Sequence, residues 1–307
     1  MKKTSINIFR VLTALSLAAL AGMASCSELA DVEIQKIDRT YLVVESFLTD
    51  SPDDIQSVML SETVGYFDEN QAPSVSNAEV SVNDGESTVK FSENPEIPGR
   101  YEAPRGWCGR QGRTYRLSVD AVIEGIEKKY SAVSTMSEPG FQIDSINYTY
   151  MGGGMFQMDS LWSISVWGKD LPQTSYFYIS GAVNGNEFPY ELSMAIDDMY
   201  FAGQPITAFP ITMLVQTAHN QEQYGECCKF LEEGDVITVS ALTLPKDCYE
   251  FFMSLSNNST AGFSIPMLQT QPANCPTNIE GDHAMGFFAA CPRISSSVTV
   301  TDPFKKF

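Results

Sequence analysis

The sequence predicts a mainly β protein. An Ig-like β-sandwich is expected at 39–140, followed by a second β-rich domain at 144–307 with one short helix. Three observations lead there. Short runs of β-branched and aromatic residues recur at about ten-residue spacing. Within many of them apolar and polar residues alternate, the period of a half-buried strand. Clusters of Asn, Asp, Gly and Pro fall between the runs, where turns need them.

In chain order, the first segment is not part of the fold. Lys2, Lys3 and Arg10 precede an apolar run from Val11 to Ala21 that is too short to span a membrane but suits a cleaved export signal. "MASC", ending at Cys26, resembles a bacterial lipobox, so residues 1–25 read as a lipoprotein signal peptide and Cys26 as the lipidated residue. Two or three acyl chains anchor stably where one does not. Residues 26–38 are polar and acidic, a short tether.

Strands follow. "TYLVVESFLTD" (Thr40–Asp50) and "SVMLSETVGYF" are rich in strand-forming residues. In Asn77–Glu93, Val80 and Val82 alternate, Asn83-Asp84-Gly85 offers a tight turn, and Val89 and Phe91 alternate again, a hairpin. "GRYEAP" and "GRTYRLSVDAVIEGIEKKYSA" complete the first domain, and the Pro-Gly break in Glu138–Ile146 closes it. Beyond it, "LWSISVWG", "TSYFYISGAV" and Glu232–Leu244 read as strands. Pro245 opens a helical stretch in which Tyr249, Phe252 and Met253 share a face. "MGGGM" (Met151–Met155) is read as a hairpin loop, and "SSVTV" as a last edge strand.

Composition narrows function. Cleavage before Cys26 takes three of 19 basic residues and none of 38 acidic ones, so the formal charge of −19 deepens by three to −22. Nucleic acid, which demands Lys and Arg for its phosphates, is excluded as a partner. Anionic lipid does not attract such a surface, so the acyl chains must supply the anchoring. Beyond Cys26 the cysteines are Cys108, Cys227, Cys228, Cys248, Cys275 and Cys291, an even number. In an exported chain that suggests disulfides, with fifteen possible connectivities for six cysteines.

The segments "YLVVESFLTD", "VSNAEVSVNDG", "GRYEAP", "GRTYRLSV", "IDSI", "CYEFFMSL" and "PTNIEGDHAMGFFAA" occur in this order from Tyr41 to Ala290. The series resembles an uncharacterised lipoprotein family of Bacteroidota, domain of unknown function 4249. That resemblance implies a β-rich outer-membrane lipoprotein, often encoded near a TonB-dependent receptor. It carries over no activity and no site residue.

Catalytic signals are weak. His219 and His283 are the only imidazoles, no G-x-S-x-G elbow is present, and no metal or cofactor is expected. The acid pairs Asp53-Asp54, Asp197-Asp198 and Glu232-Glu233 read as solvated turns, since neighbours on a strand face opposite ways. Among the aromatics, Tyr150 and Trp167 are the candidate binding residues, because an aromatic platform suits sugars and peptides. "DSI" and "DSL" resemble the Asp-Ser-apolar acceptor of Bacteroidota O-glycosylation and make Ser145 and Ser160 candidates.

The expectation is therefore a protein that is not an enzyme. It is expected on the cell surface, lipid-anchored in the outer membrane, as a binding or accessory component beside a TonB-dependent transporter. The alternatives are a surface hydrolase and a structural or adhesive surface lipoprotein.

Overall fold

The computed structural model describes residues 40–64, 72–152, 160–172, 174–188, 193–199, 203–216, 222, 225, 229–259 and 275–306. The chain is mainly β, as its alternating runs require. β1 (Leu42–Thr49) buries Leu42, Val44, Ser46 and Leu48 and turns Glu45 outward, the period of a strand with one face on a core. It forms a hairpin with β2 (Ser57–Glu62).

β3 (Glu79–Asn83) and β4 (Thr88–Glu93) are the hairpin expected around Gly85, and their register sets Val80 opposite Phe91 and Val82 opposite Val89. β5 (Arg100–Glu102) returns beside β2, while β6 (Thr114–Ile123) and β7 (Ile126–Thr135) make a second long hairpin. The spatial order β2-β5-β4-β3 is a Greek key, a connection common in sandwiches. Two buried tyrosines tie its loops. Tyr101 donates to the Val75 carbonyl at 2.9 Å and accepts from the Ala78 amide at 2.8 Å. The Tyr115 hydroxyl accepts from the Arg110 amide at 2.6 Å.

This first sheet has eight strands, and the eighth comes from the far end of the chain. β15 (Ala284–Cys291) runs parallel to β1, from Leu42 opposite Ala284 to Thr49 opposite Cys291. The sheet therefore crosses the expected boundary at 140–144. Parallel partners need a crossover, not a hairpin, so no adjacent pattern in the sequence announces this one. The sheet curls until β7 reaches the chain just before β15. There Ser131 and Glu280 exchange both backbone hydrogen bonds, and the Ala290 amide donates to Ser134 Oγ at 2.9 Å.

Two further sheets face one another. β8 (Phe141–Tyr150), β9 (Ser160–Asp170) and β13 (Pro205–Gln216) form one, in the order β13-β9-β8. The other is built on β10 (Tyr176–Val183) and β14 (Val236–Leu244), with β16 (Arg293–Thr299) beyond β14 as the expected edge strand. β11 (Asn186–Glu187) and β12 (Met194–Asp197) pair with the opposite edge of β10. Trp162, Ile164, Val166, Phe177, Ile179, Ile237 and Val239 fill the space between.

A third cluster lies under the expected helix, α1 (Lys246–Ser259). Pro245 precedes it and its carbonyl accepts from the Tyr249 amide, as a proline at a helix start permits. Cys248 and Phe252 pack on Leu242, Leu244, Phe287 and Cys291, whereas Met253 stays exposed. One residue, Pro292, links β15 in the first sheet to β16 in another.

Candidate ligand-binding cleft

Because β15 and β16 belong to different sheets, their junction brings Arg293 against the end of β1. Thr49, the last residue of β1, donates from Oγ1 to Asp54 Oδ2 at 2.6 Å, and its amide donates to Gln56 Oε1 at 2.8 Å. The turn after β1 is thus folded onto itself. Arg293 then fastens it to the second half of the chain. Its Nη1 contacts Asp54 Oδ1 at 2.5 Å, its Nη2 donates to Ser240 Oγ at 2.8 Å, and its amide donates to Asp50 Oδ1 at 2.8 Å. A partly buried guanidinium with several charge-assisted bonds makes a stiff connection.

A cleft of about 470 Å³ opens beside this network. The first sheet and its turn contribute Phe47, Asp53, Ile55 and Arg100, and the other side contributes Tyr178, Glu187 and Leu242. Phe47 stacks on Tyr178 with ring centroids 6.0 Å apart, and both rings contact Phe252 of α1. Beneath the apolar wall the aromatics are therefore held from behind. Among the described residues, Asp53 and Glu187 make no hydrogen bond or ion pair. Arg100 uses only Nε, which lies 3.0 Å from Glu102 Oε1 but off the direction of a hydrogen bond.

The residues singled out from sequence lie elsewhere. Tyr150 sits on the inner face of its sheet, opposite Trp162 in register and edge-on to Phe304 at 5.2 Å. Trp167 is half-buried five residues beyond Trp162 on β9, which places it on the opposite face, beside Ser145. The structure does not bring the two aromatics together. Ser145 is exposed, but Ser160 is buried, so a glycan on Ser160 would have no room in the folded chain.

Cys26, Cys227, Cys228 and His219 lie outside the described residues. No disulfide joins the described cysteines, contrary to the pairing expected from their number. Cys248 and Cys291 are buried thiols near each other under α1, both held well above the usual thiol range by burial. Cys108 is half-buried in the loop after β5, its thiol raised by burial and then by Asp50, and Cys275 is also half-buried. His283 pairs with neighbouring Asp282 at 3.0 Å and meets Tyr41 edge-on, away from the cleft.

Adjacent acids do diverge. Asp53 lines the cleft without a partner while Asp54 is tied to Arg293. Asp197 accepts from the Tyr249 hydroxyl at 3.1 Å, and Asp198 is buried. With Asp170, Asp198 forms a second group that sequence reasoning missed. Each carboxyl accepts one amide at 2.8 Å, from Gly203 and from Ser175 respectively, and each keeps one buried oxygen with no partner. Burial raises both above the usual carboxylate range, and the charge of Asp198 raises Asp170 further.

Fold and cleft together define a β protein whose halves share a sheet and enclose a charged, aromatic-walled cleft. The chain belongs to the family described as domain of unknown function DUF4249, whose model matches residues 28–297. No curated protein matches it.

Proposed function

We propose that the protein is a lipid-anchored outer-membrane protein, displayed at the cell surface, that acts as a binding or accessory component beside a TonB-dependent transporter. The observation that carries this reading is the cleft, where the carboxylates of Asp53 and Glu187 and the terminal nitrogens of Arg100, whose Nε is paired with Glu102, bond no described residue around an aromatic wall. Unpartnered charges in a concave, partly apolar site are a binding feature, since they gain from a ligand what the fold does not give them. The lipobox-like "MASC" supports anchoring at Cys26, and the family resemblance supports the neighbourhood of a receptor. Tethering both partners to one membrane makes even a weak contact effective through high local concentration.

Affinity purification of the native lipidated protein in mild detergent tests this. A TonB-dependent receptor should co-purify. Its absence, together with hydrolysis of a defined glycan or peptide that disappears in His219→Ala or His283→Ala, would overturn the reading in favour of a hydrolase.

A further inference from the structure

The charges around the cleft are specific enough to name a ligand class, an inference that rests on the binding role proposed above. Arg293 and Asp54 neutralise each other within the network that closes the floor. What remains is the outer edge of one guanidinium, whose Nε is paired with Glu102, and two carboxylates. Arg100, on β5, has terminal nitrogens that bond no described residue, and it lies across from Glu187 on β11 with Asp53 on the turn after β1.

A neutral ligand would cover these groups without compensating them, and an unpaired charge taken out of water is costly. A simple anion meets Arg100 but faces two free carboxylates in a chain of formal charge −19. A simple cation leaves the terminal nitrogens of Arg100, beyond the Nε paired with Glu102, without an acceptor. A ligand bearing both signs satisfies all three groups. A carboxylate matches the open fork of Arg100, which can bind it through two parallel N–H donors. An ammonium donates to Glu187 and Asp53, both acceptors when ionised. Phe47, Leu242 and the exposed Ile55 supply apolar surface for what lies between. The volume of about 470 Å³ falls in the range of small-molecule sites.

We infer that the cleft binds a short zwitterionic peptide, its carboxylate on Arg100 and its ammonium on Glu187 and Asp53.

Isothermal titration of the full-length, detergent-solubilised protein tests this with four probes: trialanine with free ends, its N-acetyl form, its C-terminal amide, and the neutral trisaccharide maltotriose. Free trialanine should bind, and each block should weaken binding about tenfold to a hundredfold, the loss of one charge-assisted contact. Arg100→Gln should abolish the preference for the free acid over the amide while keeping that for the free amine. Glu187→Gln should do the reverse, and because the Glu187 side chain is exposed and makes no described hydrogen bond or ion pair, that variant does not depend on refolding around a lost bond. Binding of maltotriose in preference to trialanine, equal binding of free and blocked peptides, or binding of no probe would overturn the inference. If a receptor still co-purifies in any of those cases, the ligand class fails while the accessory role stands.

Discussion

Gly286→Ala should damage the fold far more than its small size suggests. Gly286 lies on β15 opposite Val44 of β1, with φ at +90°, and an added Cβ would overlap the Val44 carbonyl oxygen and sit 2.9 Å from the Val44 nitrogen. Two costs combine. The left-handed backbone penalises any Cβ by about 1–2 kcal/mol. Relief of the overlap then requires the backbones of β1 and β15 to part, and overpacking of that kind costs about 1–3 kcal/mol more. Gly85 provides the control, since its φ is also +90° but a Cβ there would meet nothing within 4 Å. Gly85→Ala pays the first cost alone, less about 0.4–1 kcal/mol recovered from the stiffer unfolded chain. With that recovery applied to both variants, urea denaturation followed by tryptophan fluorescence should show a loss of about 1–4.6 kcal/mol for Gly286→Ala and about 0–1.6 kcal/mol for Gly85→Ala. Equal losses would refute the close parallel pairing of β1 with β15.

Three other outcomes are expected. Cys26→Ala should release the protein from membranes or leave its precursor uncleaved, read by detergent partitioning and by mass spectrometry of the N-terminus; an unmodified mature terminus at another residue would contradict lipidation. Cys248 and Cys291 should resist maleimide in the native protein and react after unfolding without reductant, because both are buried thiols; continued protection after unfolding would reveal a disulfide. Since burial raises Asp170 and Asp198, the folded chain holds their protons more tightly than the unfolded one, and stability should fall as pH rises from the ordinary carboxylate range through their folded values. Asp170→Asn with Asp198→Asn should flatten that fall above the ordinary carboxylate range in urea titrations; an unchanged slope would sink the assignment.

Local patterns made much of the fold legible. Alternation located β3, β4, β9, β10 and β14, strand-forming composition located β1, and Gly85 marked its hairpin because a tight turn leaves few alternatives to Asn, Asp and Gly. Pro245 and the spacing of Tyr249 and Phe252 located α1. What escaped was long-range. "AMGFFAAC" is apolar almost throughout, as a strand covered on both faces must be, and nothing in it names β1 as its partner. The cleft depends on that pairing, since Pro292 hands the chain from one sheet to the next and so delivers Arg293 to Asp54. Arg100 sat inside "GRYEAP", noticed only as a strand. Tyr150 and Trp167 were chosen for being aromatic, but the strand period puts them on opposite faces. Asp198 looked like a solvated turn acid and Asp170 drew no reading at all; their burial arises from segments that meet only in the tertiary fold.

In the proposed role, the cleft end of the molecule meets a transporter or its cargo. A photo-cross-linking residue at Ile55, exposed beside the cleft, tests it in living cells against the same residue at Val122. Val122 is equally exposed but lies in the β6–β7 hairpin, whose tip contacts Thr40 just before β1, whereas the cleft lies at the other end of β1. A cross-link to a TonB-dependent receptor or its cargo is expected from Ile55 and none from Val122. Cross-linking from Val122 alone, or from neither position, would contradict it.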